Sequence, residues 1–414
     1  MHWSLTPPSP SDLADRAVVQ RGERLKGKHI ALLISGSIAA YRTPDLVRDL
    51  RREGADVVVY ASSEALRYVG KEALEWTSLH PVIDHFSPEA EHLSDSRPFD
   101  AYLLAPGTYS TINKIASGVA DSVVTATLAT ALGRMEQQGV PVLIAPAMHG
   151  NMHNSILTAS LKRLQEMGVR IVPPRQAHGK NNLASAEILV GEIIRALSQS
   201  TLRGKRLVIT GGPTPVMLDN VRRITTVFTG SLSIELATEA WIRGAEVELI
   251  LGKGSLMPPE FIETRHVHTY DEYRDLLLER LEQEPADWGI FTAAVADYQP
   301  EQSFIGKLAS GSQPVNIKLV PTAKVIQQVR ERFQDLRMVT FKYEELVTHE
   351  ELINIARKRI QDYNYQLVVA NRGEDFSGGD QVAWLVYPDA DPVRIEGKPV
   401  IAKAILDWVS ERTA

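Results

Sequence analysis

Short, continuous apolar runs recur along the chain, and each is followed by a turn of small residues and then by a helical pattern. The first four are residues 29–35 (HIALLIS), 56–60 (DVVVY), 101–105 (AYLLA) and 140–145 (VPVLIA). A strand that is apolar on both sides must be covered on both sides, as in parallel sheets with crossover helices. The pattern therefore predicts an α/β fold with a doubly wound parallel sheet.

The same pattern begins a second time near residue 204. Residues 203–212 (RGKRLVITGG) resemble residues 26–35 (KGKHIALLIS) in character. Further apolar runs alternate with helical patterns, at residues 245–251, 288–292, 338–341 and 366–370. The second half is therefore expected to be α/β as well, and the polar segment 299–313 between two of its elements predicts an exposed flexible loop.

A chain of 414 residues has the length of two or three domains. We predict two doubly wound, Rossmann-like parallel-sheet domains, at residues 26–198 and 199–414. Three prolines followed by charged residues, at the very start, predict a flexible N-terminal extension over residues 1–25. Each domain is long enough to bury a large apolar core.

Composition excludes several classes of function. The net charge is -6, from 45 basic and 51 acidic residues with no basic block, so no nucleic-acid partner is expected. The chain has no cysteine, which excludes disulfides, thiolate metal sites and a cysteine nucleophile. No stretch approaches the roughly 18 apolar residues of a membrane span, and no signal peptide is visible. We expect a cytoplasmic protein with no membrane partner.

Ligands of doubly wound sheets bind beyond the carboxyl ends of the strands, so the loops after the strands are the candidate sites. The first three loops carry Gly36 and Ser37, Ser62, and Thr108 with Ser110. Glycine permits close backbone approach, hydroxyl groups bind phosphate, and a helix N-terminus offers free amides. Such residues also cap helices that bind no ligand, and this alternative stays open for the first two loops. The crowding of hydroxyl groups around Thr108 favours phosphate or flavin contacts.

The fourth loop places imidazole and amide groups among small residues. It contains Met148, His149, Asn151 and His153 within nine residues. One interpretation of its two histidines is a metal site.

Three segments of the first half resemble the flavin-binding cysteine decarboxylases. They are residues 36–41 (GSIAAY), 106–121 (PGTYSTINKIASGVAD) and 146–152 (PAMHGNM). Four segments of the second half resemble phosphopantothenate-cysteine ligase domains, at residues 210–214 (TGGPT), 219–232 (DNVRRITTVFTGSL), 293–300 (AAVADYQP) and 368–380 (VVANRGEDFSGGD). From about residue 26 to its end the chain thus resembles the bifunctional decarboxylase and ligase family of coenzyme A biosynthesis.

The resemblance implies two reactions. The ligase half would join 4'-phosphopantothenate to cysteine at the expense of CTP, or of ATP, with Mg²⁺. The decarboxylase half would then use FMN to convert the product to 4'-phosphopantetheine, since flavin supplies redox chemistry that side chains lack. It also implies a homo-oligomer assembled through both domains.

The resemblance assigns roles in the first half to individual residues. His92 stands eight residues before Asp100 and takes the place of the catalytic histidine. The FMN-binding positions are Gly36, Ser37, Ser62, Thr108, Ser110 and Met148. His149 and Asn151 occupy the substrate-binding positions, where His149 replaces the usual asparagine.

In the second half, the resemblance assigns nucleotide binding to Gly211, Gly212, Thr229, Gly230, Asp297, Lys307 and Phe341. Lys307 is also a catalytic candidate, because a lysine on a flexible loop can neutralise a pentacovalent phosphate. Thr226 takes the place of an asparagine that binds the acyl-nucleotide intermediate. No metal ligand is identified.

One departure from the family is the absence of cysteine. In bacterial members, a cysteine in a flexible segment, the clamp segment, protonates the enethiolate intermediate when it is reduced to the thiol product. Here that segment corresponds to residues 177–186 (AHGKNNLASA), where His178 or Lys180 is a conceivable substitute. With Thr226, this leaves three alternatives open: one active half, a related acid or thiol substrate, or a non-catalytic flavin-binding scaffold or regulatory subunit.

Overall fold

The protein is represented by a computed structural model. It describes residues 5–7, 9, 11–93, 96–254, 256–308, 311, 315–375 and 381–413. The last five residues of the motif at 368–380 and part of the expected N-terminal extension lie outside the described residues. The chain divides into two compact units, Met1–Leu197 and Ser198–Ala414.

The first unit alternates strands and helices. Its strands are β1 His29–Ile34, β2 Asp56–Ala61, β3 Ala101–Gly107, β4 Val142–Pro146, β5 Met148–His149, β6 Arg170–Ile171, β7 Arg175–Ala177 and β8 Lys180–Asn182. Its helices are α1 Thr43–Arg52, α2 Lys71–Ser78, α3 Tyr109–Ala116, α4 Val123–Gln138, α5 Ser155–Glu166 and α6 Ala186–Leu197. Short 3-10 helices lie at Ile38–Arg42, Ala65–Arg67 and Gly150–Met152.

Five strands of this unit form one sheet in the order β2-β1-β3-β4-β6, and all its pairings are parallel. Every residue of β1 and β3 is buried, as their continuous apolar sequences predict for strands covered on both sides. The predicted doubly wound parallel sheet is therefore confirmed. The small strands β5, β8 and β7 form a separate antiparallel sheet.

Part of the segment expected to be an extension is attached to the first unit. Val18 and Leu25 are buried. The backbone N–H of Arg21 donates to Arg52 O at 2.9 Å, and that of Leu25 donates to Glu53 O at 2.8 Å. These contacts fix the chain along the end of α1 just before β1 begins.

The second unit has a larger sheet and fewer helices. Its strands are β9 Arg206–Gly211, β10 Pro213–Thr214, β11 Val216–Met217, β12 Arg223–Ile224, β13 Glu246–Gly252, β14 Glu263–Val267, β15 Trp288–Phe291, β16 Ala294–Val295, β17 Tyr298–Pro300, β18 Leu319–Pro321, β19 Arg337–Glu344, β20 Leu367–Arg372, β21 Val382–Val386 and β22 Val393–Glu396. Its helices are α7 Ser231–Ile242, α8 Tyr270–Gln283, α9 Val325–Arg332, α10 His349–Tyr363 and α11 Lys398–Glu411, with a 3-10 helix at Gly373–Asp375.

Eight strands form the main sheet of this unit, in the order β14-β13-β9-β15-β19-β20-β21-β22. The first six are mutually parallel, which again confirms the predicted α/β fold. The edge strands β21 and β22 are added antiparallel, a feature that the sequence analysis did not foresee. The short connection after β20 leaves no room for a crossover helix, so the chain must turn back.

The two sides of this sheet carry separate cores. Val339 and Val369 pack with α7 and α11, whereas Met338 and Val368 pack with α8, α9 and α10. Side chains alternate along a strand, so the odd-numbered residues of β19 and β20 all point to the side of the sheet that α7 and α11 cover. This holds up to the carboxyl edge of the sheet. Among the helices of the described residues, none combines the length and hydrophobicity that crossing a membrane requires.

Candidate active sites

The loops after β1, β2 and β3 meet at the carboxyl edge of the first sheet. Ser35 Oγ donates a hydrogen bond to Pro106 O at 2.6 Å and accepts one from Thr108 N at 3.0 Å. The N–H of Ser62 donates to Ile34 O at 3.0 Å. The strand order and these bonds bring together the three loops that the sequence singled out for FMN.

Three of the predicted FMN hydroxyl groups accept backbone hydrogen bonds, and two of them, those of Ser37 and Thr108, are helix N-caps. The side-chain oxygens of Ser37, Ser62 and Thr108 each accept a hydrogen bond from a backbone N–H two or three residues further on, at 3.2, 3.2 and 3.5 Å. A hydroxyl group that accepts one bond keeps its own hydrogen to donate. Ser110 is exposed in the first turn of α3. Capping and phosphate binding are therefore compatible at these positions.

Gly36 is the point of closest packing between the first two loops. A Cβ atom on Gly36 would lie 2.5 Å from the Cβ of Glu64, closer than side chains tolerate. Glycine therefore lets the loop after β2 approach the loop after β1.

The fourth loop is fixed by a hairpin. Met148 and His149 of β5 pair with Asn181 and Lys180 of β8, respectively. The N–H of Gly150 also donates to Gly179 O at 3.0 Å, and the side chains of Asn181 and His153 are joined by a 2.9 Å hydrogen bond. The beginning of the clamp segment predicted at residues 177–186 thus lies directly on this loop.

His149 and Asn151 are both exposed at the start of this loop. The backbone N–H of Asn151 donates to His149 Nδ1 at 3.2 Å, which leaves the Asn151 side chain and His149 Nε2 facing solvent-accessible space. Among the described residues, no group of three or more histidines and carboxylates could hold a metal ion, and His153 is bonded to Asn181 instead. The metal interpretation of the two histidines therefore has no support in this loop.

His92 lies on a segment that packs near the end of β2. Its ring is 4.3 Å from that of Phe86, centroid to centroid, and its Nδ1 atom is buried with no hydrogen-bond partner in the described structure. The hydroxyl group of Tyr60, the penultimate residue of β2, donates to Glu91 O at 2.7 Å. Burying an unpaired ring nitrogen costs free energy. An unpaired buried nitrogen of this kind is often found where a ligand or substrate binds.

The second unit has a cavity of about 350 Å³ at the carboxyl edge of its sheet. Four of the residues predicted to bind nucleotide line it, namely Gly212, Thr229, Gly230 and Phe341. The volume lies within the range of small-molecule sites. The structure therefore brings these four positions, which are far apart in the sequence, to one place.

Glycines allow the first turn of α7 to pack closely against the carboxyl end of β9. A Cβ on Gly211 would lie 1.8 Å from Ser233 Oγ, so no other residue fits under this helix. Gly212 and Gly230 both have positive φ, at 72° and 76°, and a Cβ on Gly230 would lie 3.0 Å from Gly212 N. Gly211 is thus a packing residue outside the cavity lining, whereas the first turn of α7, with its free N–H groups, lines the cavity.

An aromatic wall bounds another part of the cavity. Phe341 and Tyr343 lie on β19, and the Phe228 ring packs edge-on against Tyr343 with centroids 5.7 Å apart. The hydrogen bond to Glu345, together with burial, raises the pKa of Tyr343 to about 12, so its hydroxyl stays protonated. Such a wall suits a nucleobase or another flat or apolar group.

The other predicted residues of this half lie outside the cavity lining. Asp297 forms an ion pair with Lys324, with 2.5 Å between Oδ1 and Nζ. Lys307 lies on the loop that follows β17. Thr226 lies just before the cavity segment 227–233, and its Oγ1 is buried without a hydrogen-bond partner in the described residues.

The loop that carries Lys307 is anchored by a buried carboxylate. Asp219 accepts hydrogen bonds from the N–H groups of Val221, Arg222 and Leu308, at 2.7, 2.6 and 2.9 Å. Burial by itself raises the pKa of Asp219, but these bonds outweigh it and hold the pKa well below its ordinary value. The backbone of Leu308 is therefore bound to Asp219, within the segment 299–313 that the sequence analysis predicts to be an exposed flexible loop.

Comparison with known proteins decides the family. The model of the DNA/pantothenate metabolism flavoprotein C-terminal domain matches residues 202–413, and the Flavoprotein model matches residues 19–198. The coenzyme A biosynthesis bifunctional protein CoaBC of Thermococcus kodakarensis is 36% identical over 375 residues, which cover 89% of this chain and 91% of that protein. The chain belongs to the coenzyme A biosynthesis bifunctional protein family. It is a bifunctional enzyme with decarboxylase and ligase activities.

Other members of the coenzyme A biosynthesis family match over similar lengths. The CoaBC protein of Methanocaldococcus jannaschii is 31% identical over 394 residues, which cover 94% of this chain and 95% of that protein. The crystal structure of the DNA/pantothenate metabolism flavoprotein from Streptococcus pneumoniae is 25% identical and has a TM-score of 0.46. It covers 50% of this chain, and all of that structure is matched (100%).

In this coenzyme A biosynthesis enzyme, sequence reasoning missed the polar residues that follow Phe341 in the chain and line the ligase cavity. They are Tyr343, Asn371, Gln381 and Lys398. Asn371 lies inside the motif at 368–380, so that motif was an available signal. Lys398 follows no motif and was brought to the cavity by the antiparallel strands β21 and β22.

Proposed function

We propose that the first unit binds FMN and decarboxylates 4'-phosphopantothenoylcysteine to 4'-phosphopantetheine. The second unit would form that substrate from 4'-phosphopantothenate and cysteine, with CTP and Mg²⁺. The observation that carries the proposal is the meeting of Gly212, Gly230 and Phe341 around one cavity of the second unit. In the first unit, the hydroxyl-bearing loops also meet at a sheet edge.

The residues of the first unit fit FMN. Ser37, Ser62, Thr108 and Ser110 offer O–H groups at the carboxyl edge, and the N-terminus of α3 adds free N–H groups for a phosphate. Met148 lies at the start of the fourth loop and can pack against a flat ring. When bound, FMN supplies the two-electron oxidation of the cysteinyl group that lets its carboxylate leave as carbon dioxide.

Three side chains of the first unit are proposed to bind and deprotonate the substrate. His149 and Asn151 are exposed on the fourth loop, where an N–H group of either can donate to the substrate carboxylate. His92 has an unpaired ring nitrogen at Nδ1 and is proposed to accept a proton from the substrate. Imidazole suits this task because it changes charge near neutral pH.

In the ligase unit, the N-terminus of α7 and the turn at Gly212 are proposed to bind the phosphates of the nucleotide. A carboxylate oxygen of the acid bonds to the α-phosphorus of CTP, and pyrophosphate leaves. The amine of cysteine then bonds to the acyl carbon, loses a proton, and displaces CMP.

Individual ligase residues are proposed to serve these steps. Phe341 packs against the base, and Thr229 donates its hydroxyl to a phosphate. Asp297 contacts the nucleotide, and Lys307 neutralises the charge that develops on phosphorus. Thr226, whose Oγ1 is buried and unpaired, contacts the acyl nucleotide.

Cytoplasmic localisation and a homo-oligomeric state are further parts of the proposal. Large apolar side chains are exposed in both units: Ile38 is 68% exposed and Tyr41 56%, while Val227 is 93% exposed. Where such groups form a contiguous patch, they are typical of surfaces that another copy covers. They support assembly through both domains.

Mass spectrometry tests the proposed function. The purified chain is incubated with 4'-phosphopantothenate, cysteine, Mg²⁺ and either CTP or ATP, with omission of each component as a control. We expect CMP and the decarboxylated thiol with CTP. Accumulation of phosphopantothenoylcysteine would mean that only the ligase half acts. Absence of any product while flavin stays bound would support the scaffold alternative and contradict the proposal.

A further inference from the structure

Two helices begin at the ligase cavity. The N-cap residues of α7 and α11 are Gly230 and Gly397, and neither supplies a side-chain hydrogen bond to its helix. Both helices pack on the same side of the sheet. The positive ends of two helix dipoles, with uncapped N–H groups, therefore face the same region.

Lys398, the first residue of α11, lines this cavity. It is the single charged residue among the described lining residues, and no ion pair with a described carboxylate neutralises it. Helix dipoles favour cations at the C-terminus and disfavour them at the N-terminus. With no counter-charge among the described residues, a lysine at this helix N-terminus is unfavourable, and an anion in the cavity would offset the cost.

A second polar group faces the same cavity. Asn371 is 5% exposed, lines the cavity, and its side-chain amide has no hydrogen bond within the described structure. An amide that lines a cavity and lacks a described protein partner can bond to a ligand there. The register places it next to Tyr343, and a 2.9 Å backbone bond from Gly397 N to Gln381 O ties the start of α11 to the same edge.

We propose that Lys398 and Asn371 bind a phosphate group at the α11 end of the cavity. The ammonium group neutralises the phosphate charge, and the amide N–H of Asn371 donates to a phosphate oxygen. The proposal rests on the ligase function proposed above and adds a second phosphate position to it, separate from that at the N-terminus of α7. The phosphate belongs either to the nucleotide or to the 4'-phosphorylated acid.

Binding measurements on the full-length chain test this proposal and separate the two sources. CTP and 4'-phosphopantothenate are titrated separately into the wild type, K398M, K398R and the control K403M, which alters an exposed lysine on the same helix. We expect K398M to raise the Kd of one ligand by roughly 10-fold to 100-fold, as is usual when a hydrogen bond from a charged group is lost. The ligand that weakens identifies the source, whereas K398R stays within a few-fold and K403M binds as the wild type.

Stability provides a second measurement. Removing a cation from a helix N-terminus leaves the melting temperature of ligand-free K398M at or above that of the wild type, so weaker binding cannot come from unfolding. Wild-type affinity of K398M for both ligands would overturn the proposal for Lys398. If the wild type binds neither ligand, the proposed ligase function fails. In that case inorganic pyrophosphate is titrated into the wild type and K398M. Equal affinities of the two proteins for pyrophosphate would overturn the proposal that Lys398 binds a phosphate group.

Discussion

His149 and Lys180 lie directly opposite each other in the antiparallel pair of β5 and β8. Cross-strand partners project to the same side of a sheet, so an imidazole and an ammonium group share one exposed surface of the fourth loop. A bond from Gly150 N to Gly179 O locks the hairpin to that loop. A proton donor on the β7–β8 hairpin, such as Lys180, would therefore lie beside His149, which we propose binds the substrate carboxylate.

We predict that K180M slows the last reduction of the decarboxylase reaction. That step adds two hydrogens to an enethiol, and losing a positioned acid costs roughly 100-fold or more in rate. The measurement is mass spectrometry of the thiol product, in which the unreduced species is two hydrogens lighter. The matched variant is H178N, because the sequence left His178 and Lys180 as alternatives. Fully reduced product at the wild-type rate from both variants would show that the acid lies elsewhere.

We predict that H92N loses decarboxylation by about 100-fold to 10,000-fold while ligation continues at the wild-type rate. The unpaired Nδ1 of His92 gives this residue a free position for a proton, and the two reactions belong to separate units. The assay follows carbon dioxide release and CMP formation in the same sample. The control is H85N, because His85 is exposed and pairs with Asp84 in the same stretch. An equal effect of both substitutions would contradict a catalytic role.

We predict that G36A lowers the FMN content of the purified protein. Its new Cβ would lie 2.5 Å from the Cβ of Glu64, so the loops after β1 and β2 must separate. The flavin absorbance per chain measures this loss. The matched variant is G133A in α4, where a Cβ meets nothing within 4 Å and should raise stability by about 0.5–1 kcal/mol. Full flavin content in G36A would mean that this close contact does not shape the binding loop.

We predict that E248Q lowers the free energy of unfolding by about 3 kcal/mol at pH 7. Glu248 is buried and accepts hydrogen bonds from Arg206, Arg265 and Arg280, at 2.6, 2.6 and 2.7 Å. The substitution replaces the common anionic partner of three guanidinium groups with a neutral amide that has a single acceptor oxygen. The control is E263Q, an exposed carboxylate that pairs with Arg265, for which about 0–1 kcal/mol is expected.

The pH dependence of this difference has a definite sign. Burial alone raises the pKa of Glu248, but the arginine hydrogen bonds and charges lower it below its ordinary value of 4.5. A depressed pKa contributes stability above the unfolded value, and that contribution is lost as the pH falls through the folded pKa. The difference between wild type and E248Q should therefore be full at pH 7 and shrink below about pH 4.5. A difference that grew on acidification would contradict this account.

Local sequence determined the alternation of elements in both units. Continuous apolar runs such as β1 and β3 can be satisfied only by burial on both sides, so their pattern predicted parallel sheets without further information. Glycines and hydroxyl residues at strand ends likewise marked the loops after β1, β3 and β9. These features depend on residues that are close in sequence, where propensity and periodicity act directly.

Tertiary structure decided the rest of the candidate sites. Asn371 reaches the ligase cavity at the carboxyl end of β20, opposite Tyr343 of β19. Lys398 reaches it because β21 and β22 run antiparallel and return the chain to the carboxyl edge, which no local pattern specifies. The loop that carries Lys307 was expected from its sequence to be exposed and flexible, and Asp219 binds it through Leu308 N. Which distant groups meet is set by packing and by buried hydrogen bonds across the fold. The sequence determined where binding loops could occur, and the fold determined which side chains complete them.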